Sequence, residues 1–185
     1  SFDTWLEGAG ANNNGSTTVD RTNYYIDGPS NALELMLFLE SDRMAYLLDT
    51  MTPERVNGQR DVVKNERRQS YENRPYGMPE LELDAMLFPP GHPYSWSTIG
   101  SMEDLSAASH DDVQQFFRTY YAPNNASLVI GGDIDVAATK ALVEKWFAEI
   151  PRGTPVLPVA PPAAMLTSVT KKTMTDKVQL PRLYL

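Results

Sequence analysis

TTVDRTNYYIDGPSNALELMLFLESDRMAYLL, residues 17–48, decides the fold class. Thr17, Thr18 and Val19 favour extended backbone, and Thr22–Ile26 is a clearer strand with β-branched and aromatic residues. Asp20-Arg21 is then a hairpin turn candidate. Asp27-Gly28-Pro29 breaks the strand, and Ser30–Leu48 reads as an amphipathic helix. Leu33, Leu37, Glu40, Met44 and Leu47/Leu48 recur at three and four, and Leu35, Met36, Phe38 and Leu39 widen the apolar stripe. The methionines suit gaps in a core better than a ligand box, and Asp42-Arg43 suits an ion pair. A hairpin followed by a long helix predicts an α+β fold, with helices packed on one face of a largely antiparallel sheet.

Working outward, Ser1–Glu7 reads as a short helix ended by Gly8-Ala9-Gly10, with Phe2, Trp5 and Leu6 as its core face. Ala11–Val19 is small and polar. Such a strand suits a sheet edge, where it either blunts the edge or accepts an extended peptide as an added strand. Downstream, Thr52–Arg74 opens with Thr52 as N-cap, Pro53 at the first helical position and Glu54 in the first turn. Gly77 and Pro79 end it. Val56, Gln59, Val62, Val63 and Glu66 share one face, so Glu66 is expected to point towards the core. A carboxylate there is costly unless paired or bound to a cation. Spacing alone favours a pairing with Arg67 or Arg68, or a solvent edge; the alternative is a metal ligand or catalytic carboxylate.

Pro79–Phe88 reads as a short helix, and Phe88–Tyr94 as a rigid loop in which His92 is hydrogen-bonded rather than a ligand. Ser109 and Asp112 form a capping pattern for a helix to Tyr121, which leaves His110 exposed in its first turn. Ala126–Ile130 reads as a central strand, and Asp135–Ile150 as the last helix. Gly131-Gly132-Asp133 lacks the lysine and the glycine spacing of a phosphate loop. The five prolines of 151–166 mark a semi-rigid linker, and 167–175 and 178–185 alternate like strands.

The composition bounds the function. The chain has 185 residues, 42% of them hydrophobic, which suits one domain and the start of another. A net charge of −8 argues against nucleic acid or an anionic membrane as a general partner. With no cysteine, disulfides and zinc–thiolate sites are excluded. No run reaches the roughly 18–20 apolar residues of a membrane span. Absence of cysteine fits cytoplasm and periplasm alike; a periplasmic or other exported bacterial location is the expectation.

Six stretches in order resemble the pitrilysin-type zinc metallopeptidases, the inverzincins, a group that includes insulin-degrading enzyme and the mitochondrial processing peptidase. They are Asn14–Thr17 with Asp20–Tyr25, Leu39–Met44, Arg60–Glu66, Gly91–Tyr94, Tyr121–Asn125 and Gly131–Asp133. The resemblance implies zinc as cofactor and a peptide or unfolded protein segment as substrate. It further implies that the α+β fold is the family's two-layer sandwich, and it implies a second peptidase-like domain or a paralogous subunit as partner. It makes Glu66 the third metal ligand, and Asn14, Gly15, Ser16 and Thr17 the strand that aligns substrate. The family motif H-x-x-E-H supplies two zinc-binding His and a general-base Glu from one helix. The only histidines here, His92 and His110, do not fit it. The motif is expected about a dozen residues before Ser1, because it is local to one helix.

The chain thus reads as residues 1–150 of a peptidase-like domain truncated at its N-terminus, a linker 151–166 and the start of a following domain at 167–185. It contains no catalytic residue of its own, and alone it is expected neither to hold zinc nor to cleave peptide. Gln59 stands where the family often has Glu, which keeps size and hydrogen bonding but loses charge. The implied activity is zinc-dependent endopeptidase; the alternative is a non-catalytic paralogue serving as a binding or assembly subunit.

Overall fold

The computed structural model describes residues 1–185. In chain order the elements are α1 Phe2–Gly8, β1 Asn12–Thr17, β2 Thr22–Asp27, α2 Leu33–Tyr46, α3 Pro53–Arg67, α4 Met78–Leu87, α5 Met102–Ala107, α6 His110–Tyr120 and α7 Val136–Phe147. The fold is α+β, with a small sheet: β1 and β2 pair antiparallel and have no further strand beside them. The chain forms two units, Ser1–Pro53 with Ser109–Leu157, and Glu54–Ala108 with Pro158–Leu185.

In the first unit, Ser1 caps α1 by accepting from the Thr4 N–H. That helix drops Leu6 into a core with Ala11 and Leu39, flanked by Phe2, Ile26, Leu35, Met36 and Phe38. Trp5, expected on the core face, is instead 60% exposed: the short helix turns Leu6 and Phe2, not Trp5, into the core. The hairpin loop is held by Thr18, whose N–H donates to the Arg21 carbonyl at 2.8 Å and whose hydroxyl accepts from the Arg21 N–H at 3.3 Å. The turn is therefore Thr18–Arg21, a residue pair wider than Asp20-Arg21.

α2 packs on α7 through Phe38 and Trp146, whose rings meet edge to face at 5.0 Å. Lys145 donates to Glu34 across the same pair of helices at 2.6 Å. Arg43 pairs with Glu40 rather than with Asp42, because i,i+3 neighbours face each other on a helix and i,i+1 neighbours do not. α6 begins with a complete Ser109/Asp112 capping box. His110 is half-buried, not exposed: its Nε2 lies 2.9 Å from the Met51 carbonyl oxygen. Asp135 caps α7, accepting from the Ala138 N–H at 2.8 Å.

The segment 126–130 is not a strand. Nothing lies alongside to take its backbone groups, and strand propensity without a partner makes no ladder. Leu128 and Ile130 line an open apolar cleft of about 520 Å³ against Thr139 and Val143 of α7.

In the second unit, α3 runs into a π-helical turn, Arg68–Glu72, before Tyr76 adopts a left-handed φ of 61°. Gly77 follows because a Cβ there would sit 2.2 Å from the Tyr71 carbonyl oxygen. Segments 167–175 and 178–185 form no strands either. They are held by side chains instead of a ladder. Asp176 accepts from the Tyr76 N–H at 2.7 Å, the Tyr76 hydroxyl donates to the Leu180 carbonyl at 2.8 Å, and Lys172 pairs with Glu82. His92 is buried in its loop, stacked on Phe88 at 4.6 Å and accepting at Nδ1 from the Tyr94 N–H at 3.0 Å.

Candidate functional site

β1 is polar throughout, and its four candidate residues, Asn14, Gly15, Ser16 and Thr17, are exposed. The register pairs Asn14 with Tyr25, Gly15 with Tyr24, Ser16 with Asn23 and Thr17 with Thr22. With β2 on one side only, β1 presents a free edge, the geometry that accepts an extended chain as another strand. Small side chains keep that edge approachable. The Gly15 N–H is held by the Asn14 side-chain oxygen at 2.8 Å, so an incoming strand would compete with that amide. The start of β1 is fixed by an Asn13 side-chain N–H donating to Asp3 at 3.1 Å.

Behind β1 stands a cluster that sequence reasoning did not assemble. The Tyr24 and Tyr121 hydroxyls are 3.0 Å apart, and the Arg43 guanidinium lies 3.9 Å over the Tyr24 ring centroid. Burial, foremost, and then the hydrogen bond to Tyr121 push the Tyr24 phenol up to about 12, while Arg43 pulls the other way. The Tyr24 phenol therefore stays protonated throughout the neutral range. Tyr24 and Tyr121 both lie in stretches that carry the family resemblance, but 97 residues separate them and no periodicity links them.

Glu66 sits in the last turn of α3 and is exposed. The expectation that its face points to the core is corrected: Val56 alone is buried, Val62 is 49% exposed, and Gln59 is exposed. β-branched residues at helical spacing do not bury a face when no apolar partner covers it. Its neighbours are engaged elsewhere. Arg67 donates to Glu72 at 3.0 Å and to the Gly100 carbonyl at 2.5 Å, and Arg68 donates to Asn65 at 2.8 Å. Glu66 thus stands at a solvent edge.

Zinc needs three protein donors besides water in a catalytic site, and four in a structural one. No group of three or more His, Asp or Glu side chains comes together in this chain. The donor set present does not fit zinc.

The sequence and fold place the chain among known proteins. Residues 107–185 match the family described as the peptidase M16 inactive domain. The zinc protease PqqE of Helicobacter pylori (strain ATCC 700392 / 26695) is 32% identical over 154 residues, covering 80% of this chain and 33% of that protein. The crystal structure of a protease from Helicobacter pylori superposes with a TM-score of 0.78 at 29% identity, covering 89% of this chain and 38% of that one. Pitrilysin shares the fold, with a TM-score of 0.70 at 21% identity over 86% of this chain and 17% of its own.

The chain is thus similar to the pitrilysin-type, M16 peptidases, and its relative PqqE is named a zinc protease. It spans about a third of the length of PqqE. The matched stretch 107–185 contains neither β1 nor Glu66.

Proposed function

We propose that the chain is the peptide-aligning part of a zinc metalloendopeptidase that acts on peptides or unfolded protein segments. The observation that carries this reading is β1: a small-residue strand with one unpaired edge, exposed along Asn14–Thr17. Main-chain pairing along such an edge binds extended peptides with little regard for sequence, which suits a peptidase of unfolded segments. The zinc and its general base would come from residues outside this chain, and Glu66 would add one carboxylate. Amide exchange of residues 12–17 tests the edge in the intact protein: an unstructured peptide should slow it. Exchange that ignores the peptide ends this reading.

Glu66→Gln keeps the volume and a good helix former while removing the anion. In the intact protein, zinc content and peptide turnover should fall together. Stability should move by less than about 0.5 kcal/mol, because the side chain is exposed. Wild-type zinc and turnover in that variant would make Glu66 a solvated structural carboxylate.

A second reading, a non-catalytic paralogue that binds or assembles with an active subunit, draws on Gln59 in place of the family Glu and on the inactive-domain match. The two part at one observation: whether the complete gene product carries H-x-x-E-H. A second peptidase-like domain or paralogous subunit is the implied partner under either reading, and an exported bacterial location accords with both.

A further inference from the structure

We propose that Tyr24, Tyr121 and Arg43 act as a positioning clamp that holds β1 in shape for peptide pairing; the inference rests on the edge reading above. An isolated two-stranded hairpin is marginal in water, so what orders β1 must come from outside the ladder. The base of the hairpin has its anchors: Ala11 is buried, Ile26 packs on the core, and Asn13 is tied to Asp3. The middle has one, and it is Tyr24. Its register partner is Gly15, so both lie on the same face.

The Tyr24 ring lies in contact range of the place where a β1 side chain would begin. A Cβ on Gly15 would stand 3.4 Å from Tyr24 Cδ1. An aromatic laid across a strand glycine in this way restores the contact that the glycine lacks. The ring is itself held from two helices. Arg43 of α2 stacks over it, with its guanidinium oriented by Glu40, and Tyr121 at the end of α6 meets its hydroxyl. Tyr121 is seated in turn on Phe117, ring to ring at 4.4 Å. Thus α2 and α6 both meet the Tyr24 side chain, whose ring lies against Gly15 of β1. A strand already ordered costs a peptide less to pair with than one that must be ordered on binding.

The hydroxyl–hydroxyl bond can be removed without disturbing ring packing, by Tyr24→Phe or Tyr121→Phe. In the intact protein, binding of a labelled unstructured peptide is measured by fluorescence anisotropy, with amide exchange and thermal melting alongside. Each variant is expected to weaken the peptide Kd by about threefold to tenfold, the worth of one net hydrogen bond. Exchange at 14–17 should quicken, and the melting temperature should fall by no more than the few degrees that about one net hydrogen bond is worth. The double variant should bind no worse than either single one, since one bond is lost in all three.

Wild-type Kd in the single variants, additive losses in the double variant, or enough unfolding at the assay temperature to account for the weaker binding would each overturn the clamp. If the wild-type protein binds no peptide, the edge reading falls and takes the clamp with it. If it binds peptide and the Phe variants bind equally well, the clamp falls alone.

Discussion

The hairpin 12–27 and the segment 126–130 carry opposite sequences and meet opposite fates. β1 reads Asn-Asn-Asn-Gly-Ser-Thr, poor in strand formers, yet all six of its residues find a partner in β2. Residues 126–130 read Ala-Ser-Leu-Val-Ile, rich in strand formers, yet they join no sheet and Val129 is 89% exposed. The difference lies in their neighbours. β1 has a partner four loop residues away, so loop closure costs little, and Leu6 and Leu39 pack beneath the hairpin. Residues 126–130 are followed by Gly131-Gly132 and then α7, with no strand adjacent in the chain. Propensity decides how well a residue suits a strand; a partner decides whether there is one.

Removing what lies beneath the hairpin breaks the comparison most. Leu6 is the most deeply buried large side chain, at 1% exposure. Leu6→Ala should cost about 2–5 kcal/mol, transfer and cavity together. Chemical denaturation of the first unit's signals checks the magnitude. The hairpin amides should lose their protection from exchange, while those of 127–130, which lack ladder partners, should exchange quickly in both proteins. Equal protection in the two segments before the mutation would mean that 126–130 is paired after all.

A smaller effect is expected at α6, the helix that ends on Tyr121 and leads into 126–130. Asp112 accepts from the Ser109 N–H at 2.8 Å and from its hydroxyl at 2.6 Å. The Ser109 hydroxyl, and after it the Ser109 backbone N–H, hold the Asp112 carboxyl below its ordinary value of 3.8. A depressed folded-state value means that this contribution is whole above pH 3.8 and is lost as the pH falls through the lowered value. Asp112→Asn should therefore flatten the acid limb of the melting curve relative to wild type. Ser109→Ala should cost about 1 kcal/mol at neutral pH, the usual worth of an N-cap. Parallel acid limbs in wild type and Asp112→Asn would remove the capping box from the account.

What could be read in the sequence divides along the same line as the two segments. Features settled within a few residues were legible: the Thr22–Ile26 strand, the α2 stripe and the Ser109/Asp112 box. Features that depend on a distant surface were not. The Val56–Glu66 spacing is helical, as expected, but periodicity names a face without naming what covers it, and here Val62 and Glu66 face water. Residues 178–185 alternate like a strand, yet they are tied to the Tyr76 turn, where the Leu180 carbonyl accepts from the Tyr76 hydroxyl. Tyr24 and Tyr121 illustrate the limit most plainly. Each lies in a motif, and only the fold joins their hydroxyls.

The smallest expected effect is the sharpest probe of the comparison, because it predicts almost nothing where sequence alone predicts a loss. In a central strand Val129 would lie between neighbouring strands and against a helix. Val129→Thr would then bury a hydroxyl in nearly the same volume, at a cost of about 1–3 kcal/mol unless the hydroxyl found an acceptor. In the structure Val129 points away from the cleft that Leu128 and Ile130 line, and water reaches nearly all of it. A hydroxyl there stays hydrated, so Val129→Thr should shift stability by less than about 0.5 kcal/mol. Leu128→Ala provides the internal control: Leu128 is half-exposed and lines the cleft, so its loss should exceed that of Val129→Thr and fall short of Leu6→Ala. A Val129→Thr loss as large as that of Leu128→Ala would show that 126–130 gains a covering partner in solution. The contrast with the hairpin would then be one of timing rather than of structure.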